Sequence, residues 1–391
     1  MIREIEAKSL LRRHKKVESW FLSHYGLNLY RGCVHGCAYC DGRAEKYQVT
    51  GEFDRDIDVK VNALGLLERE LDPERRRKPM PRSFMVLGGG VCDAYQGVEE
   101  TYRLARGTLE LLDRSGWPVH VLTKSVLVER DLDLLKRINR RNRAVVSFSF
   151  SSADEEISRI FEPGVPPPSR RLEAIRKFRE AGLACGMFLM PVIPFITDTC
   201  EKITETLRKG KEAGVDFVIF GTMTLKAGRQ ADHFLGVLGK HYPEFISRYE
   251  DIYPEASPWG ESTAAYTTAV HRIFDRAAAE VGIPVRMPRR LFDDILSRED
   301  LVIVLLEHLD YLLKLKGRSS PYGYAAYSLS QLKKPVSQLS REDLLKVRGV
   351  GPATAKVIAE ILETGTCREY EELMERFGNP ASFPPGSTGN V

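Results

Sequence analysis

Leu27-Asn-Leu-Tyr30-Arg-Gly-Cys33-Val-His-Gly-Cys37-Ala-Tyr-Cys40 sets three cysteines, spaced Cys-x3-Cys-x2-Cys, directly behind a short β-prone run, Leu27–Tyr30. In sheets built from βα units, ligands sit outside the carboxyl ends of the strands, so a strand that empties into a ligand-bearing loop suggests how the fold is oriented. Five more β-prone runs follow: Phe84–Leu87, Val119–Leu122, Ala144–Phe150, Cys185–Met190 and Phe217–Phe220. Between them, Ile57–Leu71, Val98–Asp113, Arg130–Ile138, Arg170–Ala181 and Glu201–Ala213 carry apolar residues three and four apart, and a further helix is expected around Cys40 to Tyr47. Six strands alternating with helical connections predict an α/β fold: a partial (β/α)6 TIM-type barrel of parallel strands with right-handed crossovers.

Outward from that unit, residues 1–25 read as an N-terminal arm and 26–230 as the barrel. The alternation then stops. Residues 231–317 form a helical extension with helices expected at Ala264–Val281 and Leu301–Leu315, 318–339 read as a polar linker, 340–367 as a helical hairpin, and 368–391 as a largely disordered tail. No repeat of 20 to 50 residues is evident, which disfavours solenoids and propellers.

Composition narrows the class. The 391 residues carry 58 Lys and Arg against 54 Asp and Glu, a difference of +4, with 43% apolar and 29% charged residues, values that exclude collagenous and disordered chains. Apolar stretches such as Leu301 to Leu306 fall far short of the roughly 18 residues of a membrane span. The first residues, Met-Ile-Arg-Glu-Ile-Glu-Ala-Lys, hold charges where a signal peptide has an apolar run, so the expected location is the reducing cytoplasm. Seven cysteines, an odd number with three crowded together, point to metal or redox chemistry rather than disulfides. Two basic runs, Arg75 to Lys78 with Arg82, and Arg137, Arg140, Arg141 and Arg143, read chiefly as solvated faces.

Three thiolates around one loop can hold three irons of a [4Fe–4S] cluster and leave the fourth iron open for chemistry. Gly32 and Gly36 suit a loop that wraps tightly. A zinc site, with His35 or a distant cysteine as fourth ligand, and three buried free thiols are the alternatives.

The segments Asn28-Leu-Tyr-Arg-Gly-Cys33 and Cys40-Asp-Gly-Arg resemble the cluster loop of radical S-adenosylmethionine (radical SAM) enzymes, in particular the spore photoproduct lyase-like branch. The resemblance runs on in order through Gly88-Gly-Gly-Val-Cys-Asp93-Ala-Tyr95-Gln96-Gly-Val-Glu99, Leu122-Thr-Lys124-Ser, Phe161-Glu162-Pro163, Arg171-Leu-Glu-Ala and Pro191-Val-Ile-Pro-Phe-Ile-Thr-Asp198, and covers roughly residues 8 to 225. It implies that Cys33, Cys37 and Cys40 hold a [4Fe–4S] cluster whose open iron binds S-adenosylmethionine. One-electron cleavage then yields a 5′-deoxyadenosyl radical, with a ferredoxin or flavodoxin as electron donor. By the same resemblance Tyr39 lies beside the adenine, Gly88, Gly89 and Gly90 admit the methionine amino group, and Lys124 meets the carboxylate.

Other positions have two readings each. Asp93 is a polar anchor of the site or a helix N-cap. Ser149 and Ser151 alternate on the fourth strand and share one face, where they can bond the cofactor or internal water. Arg171 can pair bidentately with a carboxylate or lie on a helix surface. Tyr95, Gln96 and Glu99 face the substrate or pack the second helix. The branch departs at two places. Gly90 stands where the lyase has its hydrogen-returning cysteine, with Cys92 two residues on as a shifted candidate, and Asp41 replaces a tyrosine. Cys185, Cys200 and Cys367 have no motif and read as structural.

Ser340-Arg-Glu-Asp343-Leu-Leu-Lys-Val-Arg-Gly349-Val-Gly351-Pro-Ala-Thr-Ala-Lys356 resembles a helix-hairpin-helix with Ser340 as N-cap. Leu344, Leu345, Val347, Val350, Val357, Ile358 and Ile361 supply its apolar seam. Gly349 and Gly351 would expose backbone N–H groups to phosphate, with Arg348 and Lys356 adding charge. The combination points to an enzyme acting on DNA, by lesion repair or base modification. RNA, tRNA or a small molecule as substrate, or a non-catalytic iron–sulfur DNA-binding protein, are the other readings.

Overall fold

A computed structural model describes residues 1–75, 79–254, 257 and 259–378. Its strands are β1 (Ile2–Ile5), β2 (Leu11–Glu18), β3 (Ser23–Leu27), β4 (Tyr30–Arg31), β5 (Ile57–Lys60), β6 (Met85–Leu87), β7 (Val119–Thr123), β8 (Ala144–Phe150), β9 (Ala184–Val192) and β10 (Phe217–Thr222). Seven of them form the main sheet in the order β10-β9-β8-β7-β6-β3-β2. From β3 to β10 every neighbour is parallel, and β2 closes one edge antiparallel to β3. The six parallel strands are the expected partial barrel, and the inner strand β8 is buried along its whole length.

The interior at the amino ends of the strands is filled by aromatic rings. Phe21 stacks on Phe188 at 5.1 Å between centroids, and Phe21, Phe84, Phe188 and Phe217 meet the ring of His120 edge-on. His120 Nε2 lies 2.8 Å from Ser147 Oγ.

Several elements differ from the sequence expectations. The first parallel strand is Ser23–Leu27 instead of Leu27–Tyr30. After Leu27 the chain leaves the main sheet, and Tyr30–Arg31 pairs with Val59 and Asp58 in a second sheet of order β1-β5-β4. Residues 1–25 are therefore not a separate arm, because they supply β1, β2 and most of β3. Ile57–Lys60 is a strand, and the helix begins only at Ala63, after Asn62 has bonded the backbone of Ala7 through both side-chain atoms. The helix expected over Val98–Asp113 breaks at Arg103, whose φ of 51° separates Glu99–Tyr102 from Leu104–Arg114. Around Cys40 to Tyr47 there are two single 3-10 turns, Asp41–Arg43 and Glu45–Tyr47.

The C-terminal third is more continuous than expected. Helices Ala264–Val281 and Arg298–Leu315 are present. Within the supposed linker, Tyr322–Ser330 is a helix that buries Tyr322, Ala325, Ala326 and Leu329, a spacing that lays one apolar stripe on Arg298–Leu315. Within the supposed tail, Arg368–Gly378 is a helix with Tyr370, Leu373 and Phe377 buried; residues 379–391 lie outside the described residues. Arg76, Arg77 and Lys78 of the first basic run also lie outside them, while in the second run Arg137 pairs with Asp113 and Arg143 with Asp294.

Candidate active site

The cysteine loop hangs between β4 and the first 3-10 turn, held by groups from distant parts of the chain. Gln96 clamps it twice, accepting from Val34 N and donating to Gly32 O, both at 3.0 Å. Arg43 donates to the carbonyls of Cys37 and Gly36 and to Asp54. His35 lies 3.1 Å from Gly164 O through Nδ1 and 3.1 Å from Asp93 Oδ2 through Nε2, so both ring nitrogens are engaged and neither is free as a fourth metal ligand. Gly32 has φ 80°, and a Cβ there would stand 2.6 Å from Asp56 O, so the wrap requires glycine.

Cys33, Cys37 and Cys40 line one cavity of about 980 Å³ at the carboxyl ends of the strands, together with Gly88, Gly90, Cys92, Asp93, Lys124 and Ser149. Burial pushes the Cys37 thiol up to about 12 and the Cys33 and Cys40 thiols above their ordinary value. Lys124, which lines the same cavity, is the charge that most offsets this at Cys37. Among the described residues no three His, Cys, Asp or Glu side chains converge as ligands of a single ion.

Behind the cysteines runs a chain of ionic hydrogen bonds that the sequence only half disclosed. Lys124 Nζ donates to Ser149 Oγ and Glu162 Oε1, each at 3.0 Å, and lies 5.5 Å from the centre of the Tyr39 ring. The Tyr39 hydroxyl also donates to Glu162. Glu162 Oε2 accepts from Arg171 at 2.6 Å and from Ser158 at 3.0 Å. Burial opposes ionisation of Glu162, but the Arg171 and Lys124 charges outweigh it and hold the carboxyl well below the usual range.

Arg171 is fully buried and spent on Glu162 and the Ser149 carbonyl, so it does not reach the cavity as expected. Ser151 lies just beyond the end of β8 at Phe150, is fully buried and is off the cavity lining. Gly89 also points away, its Cβ direction leading to Val86 at 2.7 Å. Gly88, with φ 88°, and Gly90 do line the cavity.

Asp93 is a junction instead of a helix N-cap. Its carboxylate accepts from Tyr95 N, Thr123 Oγ1 and Lys124 N at 2.7–2.8 Å, tying the ends of β6 and β7 to the cysteine loop through His35. Burial works against its charge, yet the His35 contact and these N–H donors keep it below the ordinary carboxylate value. Tyr95 and Glu99 face away from the cavity: Tyr95 bonds Asp131 at 3.1 Å, and Glu99 pairs with Arg130 at 2.7 Å. Cys92 is buried on the cavity wall, with Sγ 2.6 Å from Asn28 Oδ1 and 3.2 Å from Tyr30 O.

The hairpin has its N-cap where expected, Ser340 Oγ accepting from Asp343 N at 3.1 Å. Gly349 has φ 85°, Gly351 caps the helix Pro352–Thr364, and Arg348 and Lys356 are exposed beside them. Leu345 is 41% exposed and does not belong to the seam, which Leu344, Val350, Ile358 and Ile361 fill.

Residues 27–209 match the Radical SAM superfamily model, and an uncharacterized protein of Mycobacterium tuberculosis is 34% identical over 233 residues, 59% of this chain and 67% of that one. The chain belongs to the radical SAM superfamily. An uncharacterized protein of Methanocaldococcus jannaschii is 28% identical over 221 residues, 56% of this chain and 77% of that one. Residues 297–367 match a helix-hairpin-helix domain, a unit that begins well before the expected 340. The solved structure of spore photoproduct lyase complexed with dinucleoside spore photoproduct superposes with a TM-score of 0.51 at 17% identity, covering 74% of this chain and 79% of that one, a likeness of fold.

The superfamily uses a [4Fe–4S] cluster and S-adenosylmethionine, and the residues present fit both. All three cysteines open onto one cavity near the upper end of the usual range for ligand pockets, roughly 300–1,000 Å³. The glycine backbone at Gly88 and Gly90 and the cation of Lys124 border the same space, suited to the amino and carboxylate ends of an amino acid.

Proposed function

We propose that this radical SAM enzyme acts on DNA, repairing a pyrimidine lesion or otherwise modifying a base. One observation carries the reading: Glu307, Asp310, Tyr311, Lys314 and Gly323, all within the helix-hairpin-helix match, line the same cavity as the three cysteines. The helix Arg298–Leu315, against which the hairpin helix Pro352–Thr364 packs, and the loop suited to the cluster are two walls of one chamber. A base inside a duplex would be extruded into that chamber while the hairpin holds the backbone.

When bound, the cluster and S-adenosylmethionine supply a carbon radical able to remove a hydrogen atom. The chain's own residues hold, aim and quench. Lys124, kept in place by Glu162 and Ser149, presents a cation to the carboxylate of S-adenosylmethionine, and Tyr39 is fixed by its bond to Glu162. Burial pushes the Cys92 thiol up to about 12, so it stays protonated at neutral pH. Its S–H bond borders the chamber and can return a hydrogen atom to a substrate radical, leaving a thiyl radical on sulfur. The likeness of fold to spore photoproduct lyase supports this reading at the level of architecture.

The test is 5′-deoxyadenosine formation by anaerobically reconstituted protein with S-adenosylmethionine and reductant, in the absence of DNA, with intact DNA and with ultraviolet-irradiated DNA. Stimulation by irradiated DNA alone supports lesion repair. Turnover that no DNA changes, but that RNA or a small molecule stimulates, sinks the DNA assignment.

A further inference from the structure

The cluster loop, Lys124 and Ser149 account for one side of the chamber, and the wall supplied by the C-terminal third contains a charge they do not explain. Arg286 is 3% exposed, lines the cavity and belongs to the segment that Val218 N joins to β10 through Pro284 O. Nη1 donates to Val285 O at 2.9 Å, Nε is buried without a partner, and among the described residues no carboxylate lies within ion-pair distance of it. Its guanidinium sits 3.2 Å from the centre of the Tyr311 ring. The Tyr311 hydroxyl is buried beside the same guanidinium, and His271 meets the rings of both Phe220 and Tyr311.

The neighbouring carboxylates are committed elsewhere. Glu307 pairs with Lys16, Asp310 pairs with Lys314 through Oδ2 while its Oδ1 is buried without a partner, and Glu18 accepts from Trp20 N and Phe21 N. A guanidinium remains charged in proteins, and burying it without a counter-ion is costly. A fork of donors held rigid against an aromatic face and opening into a cavity is a receptor for an oxyanion.

We propose that Arg286, with the Tyr311 hydroxyl and His271, is an anion subsite of the chamber that takes a phosphate group of the substrate. The source of that phosphate, the backbone beside the target base, rests on the nucleic-acid reading above; the subsite itself does not. A carboxylate would suit the same fork, and so would the carboxylate of S-adenosylmethionine.

The experiment is thermal unfolding of the full-length reconstituted protein with inorganic phosphate, acetate or chloride at matched ionic strength, on wild type, Arg286→Met, Arg286→Lys and Tyr311→Phe, with S-adenosylmethionine affinity measured alongside. Phosphate should give wild type a saturable rise of about 2–6 °C when in large excess over its dissociation constant. Arg286→Met should lose that rise, unfold no lower than wild type without phosphate, and bind S-adenosylmethionine unchanged. Arg286→Lys should keep a weakened rise, and Tyr311→Phe a reduced one. A dinucleoside monophosphate that competes with phosphate, where two free thymidines do not, places a nucleic-acid phosphodiester there. The proposal is overturned by a rise with acetate alone, by loss of S-adenosylmethionine binding in Arg286→Met, or by no anion-specific rise together with a destabilised Arg286→Met. If DNA fails to stimulate turnover while the phosphate shift persists, the subsite stands and the substrate is another phosphorylated compound.

Discussion

Glu162→Gln would leave Lys124 and Arg171 facing a neutral amide in a fully buried setting. Removing one partner of a buried ion pair typically costs about 3–5 kcal/mol, so urea unfolding of Glu162→Gln should show a loss in that range. Wild-type-like stability would mean that water enters the network. Cys33→Ala, Cys37→Ala or Cys40→Ala should each abolish bound cluster iron and 5′-deoxyadenosine formation together, measured by iron content and product assay. The cysteines were legible because their spacing is chemistry in itself. Glu162 was visible only as part of Phe161-Glu162-Pro163, and no local pattern says that a carboxylate behind a helix end will collect a lysine, an arginine and a tyrosine. Arg171 was misassigned for the same reason: a bidentate donor was foreseen, but which anion it meets is decided by a residue nine positions away in the folded chain.

Strand ends set the next group of expectations. A Cβ on Gly88 would lie 1.9 Å from Leu122 O, and its φ of 88° disfavours any side chain, whereas a Cβ on Gly90 meets nothing nearer than 3.8 Å. Gly88→Ala should therefore lower stability by roughly 1–3 kcal/mol or more, while Gly90→Ala stays within about 0.5 kcal/mol of wild type in the same denaturant series. The aromatic plug adds a pH signature. Burial lowers His120 and His308 from 6.5 to about 3, so both are neutral in the folded chain. Between about pH 3 and 6.5 the unfolded chain binds the protons that the folded one refuses, and stability must rise with pH across that window. Going down from pH 6, unfolding free energy should fall by about 1.4 kcal/mol per pH unit for each histidine, and His120→Phe should remove one share. A flat profile would mean that water reaches the two histidine rings. Strand and helix identities in the barrel were readable from their periods. The helix Tyr322–Ser330 was missed although Tyr322, Ala325, Ala326 and Leu329 already held helical spacing, because tyrosines and serines gave the stretch a polar look.

At the scale of the molecule, the C-terminal third is a wall of the reaction chamber, a role that no sequence pattern announced because its lining residues come from segments that the linear reading had assigned to separate units. Phosphate contact at the hairpin should appear as salt dependence. Lys356→Gln should reduce the slope of log affinity against log salt by about 0.9 for duplex DNA, measured by anisotropy with a labelled oligonucleotide. An unchanged slope would move the DNA path off Gly349 to Gly351. No helix among the described residues is long and apolar enough to cross a membrane.

The cysteine loop itself has a consequence for how the enzyme is matured. Its fastenings run from Gln96 and Arg43 to the loop backbone and from Asp93 and Gly164 to His35, with Asp54 holding Arg43. Gln96, Asp93 and Gly164 reach the loop from distant parts of the chain, so the folded barrel itself presents the three thiols together. The expected outcome is that protein folded without iron takes up the cluster on later addition of iron and sulfide with an unchanged far-ultraviolet circular dichroism spectrum; a chain that stays unfolded until iron is added would overturn this.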